Sequence, residues 1–193
     1  MLNRRKFFSG SIFHVFNRGS KKELIFYGNN DYQRFIEKLF FYANQTKDHV
    51  IQYCLLPNHF HFLIKANSVD SISKLMLKLQ TSHARYYCYK FQQVGRIFQG
   101  KYKSILVDSR LQLMTVSRYI HRNPIDYFQS EQAINDYPWS SYPEFILGSD
   151  GLVKTEDKQI ILSEFSSIAA YEEFVCAEEL VVQKIIKAEA RII

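Results

Sequence analysis

The sequence has few of the residues that break or cross-link a chain. Its 193 residues include 7 glycines, 4 prolines and 3 cysteines. So little glycine and proline argues against a fibrous or low-complexity protein. The scattered cysteines form no Cys-x-x-Cys or Cys/His zinc spacing, which favours buried free thiols in a reduced compartment.

Long apolar segments are also missing. No run of about 18 apolar residues occurs, so we expect no membrane span and no membrane partner. The first residues are basic, but no sustained apolar stretch follows them, and we expect no secretory signal. The sequence therefore predicts a cytoplasmic protein.

Hydrophobic residues are plentiful instead, at 47% of the chain, with 16 Phe and 13 Tyr. That supply is enough for the core of one domain, or of one domain with an appendage.

Charge is divided unevenly along the chain. Residues 1–130 carry 20 Lys and Arg against 7 Asp and Glu, a net charge of +13. Residues 131–193 carry 5 against 12, a net charge of −7, which leaves +6 overall. A basic body with an acidic tail favours a domain that binds a polyanion such as nucleic acid. The alternative is ordinary solvated surface charge.

The hydrophobic periodicity predicts seven elements in the basic body. Strands are predicted at residues 12–18, 49–56, 59–65 and 102–107. Helices are predicted to begin near Asn30 or Asp31, at Ser71 and after Ser109. The last should stop near Asn123, because Pro124 follows. This order predicts an α+β fold of the ferredoxin-like split β-α-β type, a mainly antiparallel sheet with helices on one face.

The composition of the sequence changes in its last quarter. Residues 148–151 are a candidate linker, and residues 154–193 have the pattern of acidic amphipathic helices. We therefore divide the chain into a domain of residues 1–147 and a helical C-terminal extension of residues 148–193.

A His-x-His pair is the main chemical motif. In a strand, residues i and i+2 point to the same face, so His59 and His61 could reach one divalent ion while Phe60 points into the core. Imidazole ligands with positions left open for water or phosphate suit Mn²⁺ or Mg²⁺. Alternatively, both side chains are strand histidines satisfied by hydrogen bonds.

A tyrosine and an asparagine form the second motif. Tyr119 and Asn123 are four residues apart, which places them on one face of the predicted helix. Asn123 could supply a third metal ligand while Tyr119 offers its phenol beside it. Alternatively, they are a core tyrosine and a C-capping asparagine. Three competing tyrosines lie on the preceding helix at positions 86, 87 and 89.

Five segments together resemble a known protein family. They are residues 15–19 (VFNRG), 53–64 (YCLLPNHFHFLI), 95–103 (GRIFQGKYK), 118–124 (RYIHRNP) and 139–142 (WSSY). Their order and content are similar to the single-tyrosine HUH transposases of the insertion-sequence-200 type, in particular to the REP-associated tyrosine transposases. The resemblance covers about residues 8–147.

The resemblance implies a function and a site. His59 and His61 would bind Mg²⁺ or Mn²⁺, with Asn123 completing the metal site, and Tyr119 would be the nucleophile. The enzyme would cut and rejoin single-stranded or hairpin DNA through a 5′-phosphotyrosine intermediate, in the cytoplasm at the nucleoid. It would act as a homodimer or as a monomer.

Basic residues near these segments would hold the DNA. Four are candidates for phosphate contacts, each with plain surface charge as the alternative: Arg18, Arg85, Arg96 and Lys101.

Two other functions fit the same sequence. A non-catalytic nucleic-acid-binding module on the same fold would use the basic body and the aromatic residues. A metal hydrolase acting through bound water would need a carboxylate near the histidines, for which distant Asp108 is a candidate.

Overall fold

Four strands form one antiparallel sheet in the computed structural model, which describes residues 9–148 and 151–177. The strands are β1 (Ile12–Arg18), β2 (His49–Leu56), β3 (His59–Lys65) and β4 (Lys103–Val107). Their order in the sheet is β2-β3-β1-β4, and all neighbours are antiparallel. This is the strand order of the ferredoxin-like split β-α-β fold, which confirms the predicted fold class.

Helices connect and follow the strands. They are α1 (Asn29–Thr46), α2 (Ser71–Phe91), α3 (Arg110–Phe128), α4 (Ala133–Asp136), α5 (Tyr142–Ile146), α6 (Thr155–Leu162) and α7 (Ile168–Cys176). No helix in the described part of the chain is long and apolar enough to cross a membrane.

The two faces of the sheet carry different helices. Phe60 and Phe62 of β3 point to the face covered by α1, where Phe35 lies 5.3 Å from the ring of Phe60. His61 points to the other face, where Tyr119 of α3 lies 5.1 Å away. The prediction that helices cover one face therefore holds for α1 and α2, the two helices that connect strands. Helix α2 packs against α1. Helix α3 adds a layer on the opposite face.

Helix α3 continues past the proline that was expected to end it. It runs to Phe128 with Pro124 inside, so the predicted end near Asn123 is wrong. Pro124 lacks the N–H that would bond to the carbonyl of Ile120, a loss that normally ends a helix. Here Pro124 is buried and the following turn packs its aromatic residues, with Phe128 against Tyr137 at 5.3 Å. Tertiary packing therefore outweighs the local cost of the proline.

Helix α1 begins one or two residues earlier than expected. Its N-cap is Gly28, and Asp31 lies in the first turn. The Asp31 carboxylate accepts hydrogen bonds from the backbone N–H groups of Tyr27 and Gly28, so it stabilises the helix start from inside the first turn.

All three cysteines are free, as expected, but only Cys54 is buried.

The described part of the C-terminal extension packs onto the rest of the chain. Ile161, Tyr171 and Val175 are fully buried and belong to the same hydrophobic core as the sheet. The functional boundary at residue 147 stays a prediction, and residues 178–193 of the expected acidic helices lie outside the described residues.

Candidate functional site

Strand β3 places His59 and His61 side by side. Their rings lie 5.1 Å apart, while Phe60 points to the opposite face and is fully buried. The alternation along the strand therefore brings the two imidazoles together as the sequence pattern predicted.

Both imidazoles are neutral in this environment. Burial lowers the pKa of His59 to about 4, with a further lowering by the charge of Arg18 and a partial rise from a hydrogen bond to Asn123. Burial also holds the pKa of His61 well below its ordinary value, and the neighbouring His59 and His14 lower it further. Neutral imidazoles keep a nitrogen lone pair for a ligand.

The phenol of Tyr119 lies against this pair. Its ring meets that of His61 edge-on at 5.1 Å and that of His14 at 5.8 Å. Burial raises the pKa of Tyr119 to about 12, and the charge of Asp126 adds to the effect. The phenol is therefore protonated at neutral pH, and it needs nearby positive charge to become a nucleophile.

Asn123 joins the same group from the next turn of α3. Its Nδ2 donates to the carbonyl of Tyr119 at 2.7 Å, and its side chain hydrogen-bonds with His59. Asn123 is only 5% exposed. The structure thus brings together the four residues to which the sequence assigned the nucleophile and the metal site.

A cleft of about 610 Å³ opens beside these residues. It is lined by Phe16, Asn17, Arg18, Lys22, Asn58, His59, His61, Gln99, Lys103, Tyr119 and Tyr127. Three of these residues are cationic, and the described residues that line the cleft include no aspartate or glutamate. Such a surface attracts a polyanion and disfavours a cationic ligand.

Arg18 connects the cleft to the loop that precedes β4. Its Nε donates to Oε1 of Gln99, and its carbonyl accepts from the backbone N–H of Gln99 at 2.8 Å. Arg96 and Lys101 are exposed on this same loop, close in sequence to Gln99. The structure therefore places Arg18 in the cleft and the loop bearing Arg96 and Lys101 beside it, and their contacts with DNA stay a prediction.

The chain must turn tightly just after Arg18. A Cβ on Gly19 would lie 2.0 Å from the carbonyl oxygen of Glu23, a distance that no side chain tolerates. The glycine therefore allows the close turn that brings Lys22 to the cleft.

Arg85 lies away from these residues. It is exposed on α2, where it lines a separate groove with Arg34, Tyr86 and Tyr89. Helix α2 packs on α1, on the face of the sheet opposite the histidines. The structure does not bring Arg85 to the cleft.

The competing tyrosines of α2 have other contacts. Tyr86 donates to Asp31 at 2.6 Å, Tyr87 donates to the hydroxyl of Tyr27 at 3.1 Å, and Tyr89 is 81% exposed. The structure adds a different competitor, because Tyr127 lines the cleft with its ring 5.9 Å from that of His59.

Sequence reasoning missed several residues of the site. Tyr127 escaped notice because α3 was expected to stop before it. Lys22 ends a short 3-10 helix (Ser20–Lys22) and Lys103 begins β4, and the approach of these two segments depends on the tertiary fold. His14 was also missed, because its position depends on the register between β1 and β3, in which Phe16 pairs with His61.

Helix α7 holds α3 from the side that faces away from the cleft. Arg118 donates to the carbonyls of Phe174 and Ala177, and Arg122 donates to the carbonyl of Val175 at 2.9 Å. These carbonyls at the end of α7 lack partners within the helix, and cations there are favoured by its dipole. The C-terminal extension therefore fixes the helix that carries Tyr119.

A buried polar network completes this contact. The hydroxyl of Tyr171 lies 2.7 Å from Nδ1 of His121, 3.0 Å from Nε2 of Gln52 and 3.2 Å from the hydroxyl of Ser117. All four residues are completely buried, so each depends on the others for hydrogen bonding.

Replacing Tyr171 by phenylalanine is expected to lower the free energy of unfolding by about 1–3 kcal/mol, because the buried partners lose the hydroxyl. Urea denaturation of the full chain measures this. Tyr89→Phe removes a hydroxyl from an exposed side chain and should change stability by less than about 0.5 kcal/mol. Equal unfolding midpoints for Tyr171→Phe and the unsubstituted protein would contradict the prediction.

Comparisons with known proteins identify the family and the fold. The family model described as "Transposase IS200 like" matches residues 7–123. A solved structure of a REP-associated tyrosine transposase bound to a REP hairpin aligns with a TM-score of 0.61 and 16% identity, covering 82% of this chain and 93% of that one. Identity at this level shows a shared fold.

A second solved structure is that of a candidate transposase from Deinococcus radiodurans R1. It aligns with a TM-score of 0.45 and 16% identity, covering 63% of this chain and 97% of that one. No curated protein matches the chain.

Proposed function

The chain belongs to the IS200-like transposase family, and from that premise we propose that it cuts and rejoins single-stranded hairpin DNA with Tyr119 as nucleophile. The observation that carries the proposal is the contact of Tyr119 with His61 at the wall of a cationic cleft.

A divalent ion fits the residues that face the cleft. Nε2 of His61 is buried and has no hydrogen-bond partner in the part of the chain that the structure describes, and an imidazole pair with an amide oxygen suits Mn²⁺ or Mg²⁺. His59, His61 and Asn123 would hold the ion, with other positions for water or phosphate. No group of three or more His, Cys, Asp or Glu side chains suited to a metal occurs in the described residues, so the proposed protein ligands are two imidazoles and one amide. When bound, the ion would polarise the scissile phosphate.

The residues of the chain would perform the transfer as follows. The Tyr119 oxygen would form a bond to a backbone phosphorus, and the bond from phosphorus to the 3′ oxygen would break. The phenolic proton would end on that oxygen, which gives a free 3′-hydroxyl and a 5′-phosphotyrosine. Attack by another 3′-hydroxyl would reverse the step and rejoin the strands, and the covalent link conserves the phosphodiester energy.

Cations of the cleft would position the substrate. Arg18, Lys22 and Lys103 surround the approach to Tyr119 and would contact phosphates on both sides of the reacting one. Their charge would also favour the phenolate of Tyr119.

A hairpin is the proposed substrate because of two observations. The aligned REP-associated tyrosine transposase is described as bound to a REP hairpin, and its alignment includes most of both chains. The cleft of this chain contains Tyr119 together with the cations Arg18, Lys22 and Lys103, which suit a phosphate backbone.

One chain supplies every part of this site. Tyr119 contacts His61 of the same molecule, so the proposal requires no second copy. The choice between monomer and homodimer stays a prediction.

Incubation with labelled hairpin DNA tests the proposal. With Mg²⁺ or Mn²⁺, a denaturing gel is expected to show a protein–DNA adduct, and EDTA should remove it. The double variant His59→Ala/His61→Ala should lose the adduct but keep DNA binding. Binding without an adduct in any metal would instead favour the non-catalytic module, and cleavage without an adduct would favour a hydrolase.

A further inference from the structure

His14 lies directly behind His61, on the side away from the cleft. Its Nε2 is 3.0 Å from Nδ1 of His61, and the two rings stack with centroids 5.2 Å apart. His14 is 6% exposed and is not among the residues that line the cleft. It comes from the neighbouring strand β1, whose Phe16 pairs with His61 in the sheet register.

The opposite nitrogen of His61 is left without a protein partner. Nε2 of His61 is buried and has no hydrogen bond within the described residues. A buried polar atom without a partner costs about 1–3 kcal/mol, so its persistence calls for a function. The contact between Nε2 of His14 and Nδ1 of His61 holds one proton, which either nitrogen can carry. If His61 carries this proton, its Nε2 keeps a lone pair for an ion.

His59, like His61, has a side-chain partner at its Nδ1 atom. Nδ1 of His59 is 2.6 Å from Oδ1 of Asn58, whose Nδ2 in turn donates to the carbonyl of Lys22. Because this amide oxygen can only accept, Nδ1 of His59 carries the proton and Nε2 keeps the lone pair. His59 differs from His61 in one respect, because its side chain also hydrogen-bonds with Asn123.

We infer that His14 is a positioning residue that accepts the Nδ1 proton of His61 and so presents the lone pair of His61 Nε2 to a divalent ion. Asn58 has the same role for His59. Histidines that bind metals commonly donate their second ring N–H to such a partner, which fixes both tautomer and ring orientation. His14 itself does not bind the ion, because its Nε2 is occupied by His61.

This inference rests on the proposed metal site but not on catalysis. It makes a prediction about the metal-free protein that needs no substitution. Long-range ¹H–¹⁵N NMR spectra of the full chain in EDTA are expected to show His61 and His59 protonated at Nδ1. A His61 protonated at Nε2 would overturn the role of His14.

Metal affinity provides the second test, with Mn²⁺ as the probe and isothermal titration calorimetry as the measurement. His14→Phe keeps the stacked ring but removes the acceptor, and it should weaken Mn²⁺ binding about 10–100-fold. His14→Gln restores an acceptor oxygen and should recover most of the affinity.

His83→Phe is the matched control. His83 is also a fully buried histidine, but it donates to the carbonyl of Ile25 and lies on the opposite face of the sheet, near Phe35. This variant loses a buried histidine without touching the site, so it should bind Mn²⁺ as the unsubstituted protein does. Thermal unfolding curves establish that each variant is folded.

The outcomes separate the two proposals. Equal Mn²⁺ affinity in His14→Phe and the unsubstituted protein overturns the role of His14 and leaves the proposed function intact. Absence of Mn²⁺ and Mg²⁺ binding by the unsubstituted protein overturns the metal-dependent function itself. Should His14→Phe not fold, the tautomer of His61 and the affinity of His14→Gln still decide the question.

Discussion

The variant Tyr119→Phe is expected to form no covalent adduct with hairpin DNA, and its cleavage rate should fall by a factor on the order of 10⁴ or more, the scale seen when a nucleophile is removed. The aromatic ring and its edge-on contacts with His61 and His14 remain, so the fold and the affinity for DNA should be unchanged. Single-turnover cleavage and a binding assay on the same hairpin measure the two effects separately.

Tyr127→Phe provides the control for this experiment. Tyr127 lines the same cleft, but its ring approaches His59 at 5.9 Å and makes no ring contact with His61. We expect this variant to form the adduct at nearly the normal rate. Adduct formation by Tyr119→Phe together with its loss in Tyr127→Phe would make Tyr127 the nucleophile instead.

Acid is expected to unfold the protein at a mildly low pH, because several histidines are buried in neutral form. Burial lowers the pKa of His14 and of His121 to about 3 and that of His83 to about 4. In the unfolded chain the same side chains bind protons below about pH 6.5. Between pH 6.5 and 4 the unfolded state therefore binds more protons, so stability falls as the pH falls.

The size of this effect approaches the whole stability of a domain. Each of the three histidines costs about 1.4 kcal/mol per pH unit in that window, or about 2 kcal/mol by pH 5. Together they cost about 6 kcal/mol, against a typical total of about 5–15 kcal/mol. Urea denaturation in EDTA at pH 7.5, 6.5, 5.5 and 5.0 should show the free energy of unfolding falling steeply below pH 6.5.

The variant His83→Gln tests how much one buried histidine contributes to the loss of stability in acid. An amide N–H can replace the bond from His83 Nε2 to the carbonyl of Ile25, at 2.8 Å, without binding a proton. Unfolding of this variant should take up about one proton fewer than unfolding of the unsubstituted protein. Its free energy of unfolding should therefore fall by about 1.4 kcal/mol less per pH unit. A free energy of unfolding that stays constant from pH 6.5 to 5.0 would contradict the prediction.

The positions of the strands could be predicted from the local sequence pattern. The strand limits at His49–Leu56 and His59–Lys65 match those predicted from the sequence, although both strands are buried on both faces. The side-by-side position of His59 and His61 follows from the two-residue repeat of a strand.

The end of α3 shows where local reasoning fails. Pro124 breaks helices in most contexts, yet the helix continues for four residues because its last turn packs against Tyr137. Tyr127 enters the cleft only through that continuation.

The sequence by itself determined the positions of the strands, the pairing of the histidines and the helical face shared by Tyr119 and Asn123, because each depends on a short pattern along the chain. Only the tertiary structure decided which basic residues join the cleft, since Arg18 lies in it and Arg85 lies on the opposite face. It also decided that His14 lies behind His61, because a contact between two strands depends on register rather than on neighbouring residues.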